Sequence, residues 1–582
     1  MAKRKKAASI ETTDGGQPDA GQHVASAGKG QTPRQDWYLA GGLFLIALLL
    51  RLRFVNAGLF YTDAVIAAQN AEATYNTLSI HYMHGVGYPG HVIMIAVLYA
   101  IAKLFFGVAT AESSTLFISL FTAALSVGLL YLLVRKMGGS KFAGISAALV
   151  LNTLPVYLST STFGMSHQPA GLFMLLSFYL AMLAAETGDV RLKLAAPLSL
   201  GWAAAIRLET IQMLPLMLLF YWIKRPPASI GISEGYLKFR LKTGKDELVK
   251  DAAYAIIPAI IMLAIPYIPM LRESGLKTLI DAFEYNRWLG LWVSGLTELV
   301  IEWVTISLTQ YGWLLVLFGM AALFARKEKG PFIAMLLWCF YFLVLANTLT
   351  VEDRHTIPAL IGFTVAIGFA LDWAYRRIHA IAGIAIMLAL LGIMLSTIYP
   401  ILDYRANFCG PKSFTFAIKD IIEKNSVVIV MDEAPHLQYY GGLDTIGHPL
   451  DGDMVKIEKS LAELHGYLAN GTNVYLVSSA FVYDSGAGIS YDQSSGRLYN
   501  TQTRKVFENL QLNKDGKSMT DTSTGVSIPI YGIWQMELFS EFTVLPLKSI
   551  ENEDWHKRNV ITGKYDETLF RITDRPANQR GT

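Results

Sequence analysis

The first residue that could do chemistry is a carboxylate, Asp63, in the segment 59–64 just after the first long apolar run. Ionisable side chains at a membrane boundary are costly to place there and often mark functional sites. A carboxylate in this position could accept the proton of a hydroxyl nucleophile. Thr62 or Asp63 could instead cap a helix over residues 64–78. The two roles are compatible, so Asp63 is a candidate general base.

A cationic candidate, Arg354, stands in the segment 352–358, between two apolar runs. A partly desolvated guanidinium there could bind the phosphate of a lipid-linked donor and stabilise the charge that develops as the phosphate leaves. The alternative is an arginine that anchors the chain to lipid headgroups, with Glu352 or Asp353 as its local partner.

Further polar residues interrupt or flank apolar stretches. Arg207 and Glu209 lie inside the stretch 193–223, where they either line a cavity or neutralise one another as a buried pair. Arg287 lies among aromatic residues, which suits contact with a sugar or a headgroup, although an interfacial aromatic belt explains it equally well. His167 follows Ser166 in a short polar connection where a second acid would be expected, yet neither is acidic.

No metal, nucleotide or cystine motif is recognisable. The histidines at 81, 84 and 91 share one loop, but no linked carboxylate or cysteine completes a metal site, so we interpret them as interfacial polar residues. The two cysteines, Cys339 and Cys409, are too few for a disulfide framework. A P-loop, a glycine-rich nucleotide motif and a Ser-His-Asp arrangement are all lacking from the sequence.

Composition decides which elements must position these residues. Of the 582 residues, 53% are hydrophobic and 16% are charged, whereas a soluble domain has roughly 25% charged residues. These values exclude a disordered, collagen-like or disulfide-rich secreted chain, and a net charge of +3 does not suggest binding to nucleic acid. The sequence therefore predicts a mainly α polytopic membrane protein.

Membrane-spanning helices need about 20 apolar residues. The stretch 193–223 is longer and contains Arg207 and Glu209, so we predict two short helices with a polar elbow. Residues 1–36 form a predicted disordered cytoplasmic tail with a basic cluster, followed by a signal-anchor helix. The other apolar runs are 37–55, 89–107, 113–135, 142–159, 167–186, 252–270, 308–326, 331–349, 357–375 and 380–398.

The distribution of Lys and Arg predicts the orientation. The basic loops can all be cytoplasmic only if the run 89–107, which contains Lys103, lies along the outer surface instead of crossing. About eleven crossings follow, with a cytoplasmic N-terminus in what is expected to be the plasma membrane. The first external loop (56–112), a short loop at 160–166 and the tail 401–582 are then all extracytoplasmic. Most of the unusual polar residues fall on this side.

The tail 401–582 is expected to be a soluble α/β domain. Residues 427–430 and 474–477 have the character of buried strands, and 454–469 has helical spacing. The turn-rich segment 483–497 is expected to be a surface loop.

Several segments occur in the order found in the GT-C glycosyltransferases, and residues 37–400 resemble this superfamily. It includes protein O-mannosyltransferases, lipid A aminoarabinose transferases and their bacterial and archaeal relatives. The similar segments are 53–63, Gly87-Tyr88-Pro89 leading to 104–107, Gly138-Gly139-Ser140-Lys141 with an alanine-rich helix that ends at Pro155, 201–207, and 353–360.

The resemblance implies a fold with juxtamembrane helices in the first external loop. It also implies inverting transfer of a sugar from a polyprenyl-phosphate carrier to an acceptor hydroxyl of a glycan, lipid or protein. Asp63 would be the general base, and Arg354 and Arg207 would bind the donor phosphate. The substrate would also contact the side chains of Tyr88, His167, Arg287 and His355, the last of which stands where tyrosine is common.

Oligosaccharyltransferases have the same fold but use a metal held by acids of the second loop, together with a Trp-Trp-Asp signature. This sequence has neither feature, so we expect transfer of a single sugar without a metal or another cofactor. Two alternatives remain open. One is a transporter or flippase for a lipid-linked glycan, although such proteins usually have paired halves and helices broken near the midplane. The other is an inactive relative that serves as an assembly subunit.

Overall fold

The computed structural model describes most of the membrane-embedded region and part of the C-terminal domain. The tail before residue 33 lies outside the described residues. The described residues are 33–83, 88–107, 109–224, 229–233, 236–240, 245–291, 296–326, 329–348, 353–430, 434–447, 454–480, 489–492, 497–500, 510–512, 518–522, 527–529, 534, 538, 540–553 and 564–574.

Fourteen helices come first in the described part of the chain, with one β-hairpin (β1 Ser229–Ser233, β2 Tyr236–Arg240) among them. Seven helices in the described ranges are long and apolar enough to cross a membrane. The helices are α1 Arg34–Arg53, α2 Thr62–Thr77, α3 Pro89–Phe106, α4 Ala111–Lys136, α5 Lys141–Thr153, α6 Pro155–Thr160, α7 His167–Thr187, α8 Val190–Ile206, α9 Leu214–Lys224, α10 Lys245–Leu291, α11 Leu296–Phe324, α12 Gly330–Thr348, α13 Ile357–Arg377 and α14 Ala380–Asn407.

The predicted apolar runs correspond to these helices, and the polar elbow is confirmed. Helix α8 ends at Ile206, a 3-10 turn covers Leu208–Met213, and α9 begins at Leu214. The run 142–159 is divided at Leu154, because Pro155 has no N–H for a continuous helix and instead begins α6. The segment 160–166 was expected to be an external loop but is buried throughout. The count of eleven crossings stays a prediction.

Small and apolar side chains form one core through the helical bundle. It is centred on α4, α5, α7 and α13, whose inner faces are almost fully buried. Trp338 of α12 lies in this core and its Nε1 donates a hydrogen bond to the Pro358 carbonyl at 2.7 Å. The interior of the bundle therefore fixes the start of α13.

The C-terminal domain is built around a mixed five-stranded sheet with the spatial order β11 (Phe542–Glu553), β12 (Lys564–Asp574), β5 (Asn473–Val477), β3 (Ser426–Val430) and β4 (Thr445–Gly447). Strand β3 is parallel to β4 and β5, whereas β12 is antiparallel to β5 and β11. The elements of this domain are α15 Gly410–Lys419, β3 Ser426–Val430, α16 Ala434–His436 with a π-helical turn Leu437–Gly441, β4 Thr445–Gly447, α17 Met454–Ala469, β5 Asn473–Val477, β6 Ile489–Asp492, β7 Arg497–Asn500, β8 Leu510–Leu512, β9 Ser518–Asp521, β10 Ser527–Pro529, β11 Phe542–Glu553 and β12 Lys564–Asp574.

The α/β character expected for this domain is confirmed, and the predicted strands and helix lie where they were expected. Within the segment expected to be a loop at 483–497, β6 instead pairs with β7 as an antiparallel hairpin. Alternation of Ile489 and Tyr491 with polar residues was the sequence signal for that strand.

Candidate active site

Asp63 lies in the first turn of α2, at the end of the bundle that carries the C-terminal domain. Thr62 and Asp63 are not the N-cap residue of this helix, which is Tyr61, and the Tyr61 side chain makes no capping hydrogen bond. Arg354 Nη2 donates a hydrogen bond to Asp63 Oδ2 at 3.4 Å, and the Asp63 side chain remains 24% exposed. The carboxylate is thus held beside a cation and is still open to solvent.

Arg354 is held by a 3-10 turn, Asp353–Thr356, that leads into α13. Its side chain is 6% exposed, and the guanidinium carbon lies 3.9 Å from the centroid of the Tyr61 ring. An aromatic face so close to a guanidinium favours the charged form and limits its orientation. Tyr61 therefore belongs to the same site as Asp63 and Arg354.

Arg207 occupies the break between α8 and the following 3-10 turn, where its backbone is extended. The side chain is buried and donates through Nε to Glu209 Oε1. Its other nitrogens donate to Ser166 Oγ at 3.1 Å and to His355 Nδ1 at 3.0 Å. The guanidinium thus connects the second loop, the elbow and the turn before α13.

Tyr88 covers Arg207, with the guanidinium carbon 5.0 Å from the ring centroid. Tyr88 adopts a left-handed backbone conformation (φ 41°), which is uncommon for a residue with a side chain. The next turn packs closely, since a Cβ on Gly90 would lie 2.8 Å from the Ala205 carbonyl carbon. Burial raises the pKa of Tyr88 to about 12, so its hydroxyl stays protonated at neutral pH.

His167 begins α7 and is 2% exposed, and neither ring nitrogen has a hydrogen-bond partner among the described residues. Its ring meets that of His355 edge to face, 5.5 Å between centroids. His355 Nδ1 must accept the hydrogen bond from Arg207, because a guanidinium only donates. The neutral His355 ring therefore carries its proton on Nε2.

His167, Glu209 and His355 each present a potential metal-ligand atom, and these atoms lie within 4.8 Å of one another. Two histidines and a glutamate are a common set for Zn²⁺. Arg207, however, is already bonded to two of the three residues, so a divalent ion would be repelled by its charge at short range. The same cationic surroundings favour an anion. That no metal takes part stays a prediction.

Two carboxylates, Asp63 and Glu209, balance two guanidiniums, Arg207 and Arg354, in this part of the site. An anion that displaced either carboxylate would find a buried, aromatic-backed guanidinium already in place. Planar guanidiniums bind phosphate oxygens through two parallel hydrogen bonds. The arrangement can therefore hold a phosphate beside a carboxylate that is able to accept a proton.

An apolar groove of about 510 Å³ lies between α3, α4, α7 and α8. Trp202 lines it and precedes Arg207 by about one and a half helical turns. Thr122 contributes the only polar side chain among its lining residues apart from the Trp202 ring nitrogen; most of the others are aliphatic or aromatic, such as Val97, Phe121 and Leu172. The groove could take a long hydrocarbon chain.

Most of the residues selected from the sequence meet in one place. Asp63 contacts Arg354, and Arg207 contacts Tyr88 and His355. Arg287 lies in α10, but its side chain is outside what the structure describes. The pairing of Arg207 with Glu209 is confirmed. His91 was expected to lie at the membrane–water interface, but in the structure it is a buried residue of α3.

Three neighbours were not selected as site residues: Tyr61, Glu209 and Ser166. Each of them stands one or two positions from a selected residue, at Asp63, Arg207 and His167 respectively. This proximity along the chain was the sequence signal for Tyr61 and Ser166, whereas Glu209 was also marked by its charge inside an apolar stretch.

Comparison with known proteins agrees with this architecture. Residues 90–233 match the family model described as dolichyl-phosphate-mannose-protein mannosyltransferase. A search of curated protein sequences finds no match. ArnT from Cupriavidus metallidurans has a similar structure, with a TM-score of 0.53 in the apo state and 0.52 with undecaprenyl phosphate bound. The sequence identities are 13% and 12%, and each alignment covers 77% of this chain and 93% of ArnT.

The oligosaccharyltransferase of Archaeoglobus fulgidus aligns over 76% of this chain and 69% of its own, at 15% identity and a TM-score of 0.48. The expected fold class, a helical membrane bundle with a C-terminal α/β domain, is confirmed. Residues 90–233 are thus similar to the mannosyltransferase family, and the chain has a fold similar to that of ArnT.

Proposed function

We propose that the protein transfers a single sugar from a polyprenyl-phosphate-linked donor to an acceptor hydroxyl, with inversion at the anomeric carbon. The observation that carries this proposal is the contact between Asp63 and Arg354 at 3.4 Å, in a site that also holds the buried Arg207. A base and a phosphate-binding cation in direct contact are what such a transfer requires.

In the proposed reaction the acceptor oxygen attacks the anomeric carbon from the face opposite the phosphate. A new carbon–oxygen bond forms as the bond between the anomeric carbon and the phosphate oxygen breaks. The electron pair of the broken bond remains on the phosphate, and the hydroxyl proton passes to Asp63. Hydroxyl groups have a high pKa, so a positioned base accelerates the step by about 10²–10⁴-fold.

The Asp63–Arg354 ion pair would couple proton transfer from the acceptor to departure of the phosphate. When Asp63 accepts the proton it loses its charge, and Arg354 no longer has an anionic partner there. At the same moment the donor phosphate gains a second negative charge. The guanidinium can therefore move its interaction from the carboxylate to the leaving group, and stabilisation of that charge lowers the barrier.

Two observations support a lipid-linked donor. The apolar groove includes Trp202, which is about 7.5 Å along α8 from Arg207, so a hydrocarbon chain there could place its phosphate at the guanidinium. The structurally similar ArnT has been determined with undecaprenyl phosphate bound. We propose that the chain of the donor stays in the membrane while the acceptor, a glycan, lipid or protein, arrives at the face that carries the C-terminal domain. That face would lie outside the plasma membrane.

The test is sugar transfer by the full-length protein in lipid nanodiscs, with a panel of polyprenyl-phosphate sugars as donors. Asp63→Asn should lower kcat by about 10²–10⁴-fold and leave donor binding intact. Arg354→Ala should weaken donor binding. The product should have the anomeric configuration opposite to that of the donor.

Asp403→Asn is the matched control. Asp403 also pairs with an arginine at 3.4 Å, Arg53, but both side chains of that pair are largely exposed. This variant should keep wild-type turnover. Wild-type turnover by Asp63→Asn would remove Asp63 as the base.

A further inference from the structure

The eight residues that connect α1 to α2, 54–61, have no regular secondary structure and precede Asp63 directly. Ala57 N–H donates to the Arg405 carbonyl at 2.9 Å, and the Ala57 carbonyl accepts from Lys412 Nζ at 3.3 Å. A Cβ on Gly58 would lie 3.1 Å from Cys409 Sγ. This α1–α2 connection is therefore packed against the start of the C-terminal domain.

The firmest attachment is at Leu59, which is fully buried. Its N–H donates to the Tyr440 hydroxyl at 2.9 Å, and its carbonyl accepts from His436 Nε2 at 3.1 Å. Both side chains belong to residues 434–441, which we call the docking turn. Gln69 of α2 also donates to the Pro435 carbonyl at 3.4 Å. The docking turn thus forms hydrogen bonds with both the N–H and the carbonyl of Leu59.

The docking turn is itself anchored to the bundle. The Tyr440 hydroxyl donates to Glu112 Oε1 at 3.2 Å, and Lys412 Nζ donates to the same oxygen at 2.8 Å. Glu112 lies in the first turn of α4. The Tyr440 hydroxyl therefore connects α4 with the α1–α2 connection, because it accepts from Leu59 N–H and donates to Glu112.

Only three residues separate Leu59 from Asp63, and the middle one, Tyr61, couples the two ends. The Tyr61 carbonyl accepts from Ala64 N–H at 2.9 Å and so begins the first turn of α2. The Tyr61 ring supports the guanidinium of Arg354. A shift of the Leu59 backbone would move both the carboxylate and the aromatic support of the phosphate-binding arginine.

We infer that the docking turn positions the catalytic carboxylate: Tyr440 and His436 fix the Leu59 backbone and thereby hold Asp63 and Tyr61 at the reacting groups. This inference rests on the proposed role of Asp63. Neither side chain contacts the reacting atoms, so both are positioning residues. The C-terminal domain is then an integral part of the active site.

The experiment compares Tyr440→Phe with Tyr439→Phe in the full-length protein. Tyr439 is the matched control, because its hydroxyl bonds the Glu112 backbone N–H at 3.2 Å and not the α1–α2 connection. Tyr440→Phe leaves a buried N–H without its partner and should lower kcat about tenfold, with the donor KM raised by less than about fivefold because the Tyr61 ring is shifted and not removed. Tyr439→Phe should stay within about twofold of the wild type.

A double-mutant comparison separates positioning from general damage. In an Asp63→Asn background Tyr440→Phe should cause a much smaller further loss of kcat than in the wild type, because the carboxylate is already gone and only the effect through Tyr61 remains. An equal further loss in that background would overturn the inference. Of two His436 variants, His436→Gln should retain more activity than His436→Leu, since the amide can still donate to the Leu59 carbonyl.

Amide hydrogen exchange gives a readout that does not depend on sugar transfer. Exchange at residues 57–63 should be faster in Tyr440→Phe than in Tyr439→Phe, and equal exchange would overturn the inference by itself. If exchange rises in Tyr440→Phe but Asp63→Asn turns over normally, the proposed base has failed and the docking contact has not. The two failures are thus distinguishable.

Discussion

Glu209→Gln tests whether Arg207 exchanges its present partner, Glu209, for the phosphate of the donor. In the structure Arg207 is 3% exposed and Glu209 is its anionic partner. Removing one member of a buried ion pair costs roughly 3–5 kcal/mol. Glutamine keeps an amide oxygen for Arg207, so we expect the lower end of that range, about 3 kcal/mol, as a loss of stability without ligand.

The same substitution should strengthen phosphate binding. A phosphate that takes Arg207 as its partner must displace the Glu209 carboxylate, and the variant removes this competitor. Phosphate bound to Arg207 restores the anionic partner that the variant lacks. If this recovers most of the lost stability, the affinity for polyprenyl phosphate rises by about tenfold to 100-fold. Stability and affinity should therefore change in opposite directions.

The assay is thermal unfolding of the protein in nanodiscs with increasing polyprenyl phosphate, together with direct titration for Kd. Glu186→Gln is the control, because Glu186 pairs with Lys136 at 2.6 Å and is about 28 Å along α7 from His167. It should lower Tm only slightly and leave Kd unchanged. An unchanged or weaker Kd in Glu209→Gln would refute the assignment of Arg207 to the phosphate.

Three further outcomes are expected. Tyr61→Leu should weaken donor binding about fivefold and Tyr61→Phe should not, since loss of the aromatic face costs about 1 kcal/mol; titration of donor would show this. Burial lowers the pKa of His436 to about 4 from 6.5, so its contribution to stability is present above pH 6.5 and is lost as the pH falls towards 4, about 3 kcal/mol in all. Unfolding measured against pH should show this loss, and His436→Gln should flatten the profile. Treatment with a chelator should leave turnover unchanged, whereas activity restored by Zn²⁺ would identify His167, Glu209 and His355 as a metal site.

Periodicity and polarity were enough to predict the main elements of this fold. Helix α17 has the predicted bounds 454–469, and the elbow at Arg207 follows from two charges inside an apolar stretch. These features depend on local patterns, which the sequence displays directly. The closeness of Asp63 to Arg354 was expected from the resemblance to a family, because 291 positions separate them and no local pattern could join them.

Contacts that depend on how the elements pack could not be predicted. Tyr61 and Tyr88 each support a guanidinium, yet aromatic residues are abundant throughout the chain and nothing in the sequence distinguishes these two. The docking turn belongs to the C-terminal domain, and no local pattern in its sequence relates it to the membrane domain. Its contact with Leu59 joins residues more than 370 positions apart.

Residues 150–171 form a strip that is buried throughout and includes Ser166 and His167 of the site. Three of its hydroxyl groups are satisfied within the strip, since Thr160, Ser161 and Thr162 donate to the carbonyls of Val156, Leu158 and Ser159. The chain just before His167 is therefore packed and hydrogen-bonded to itself. The proposed sugar transfer needs access from one membrane face only, whereas a carrier with alternating access must open its site to each face in turn.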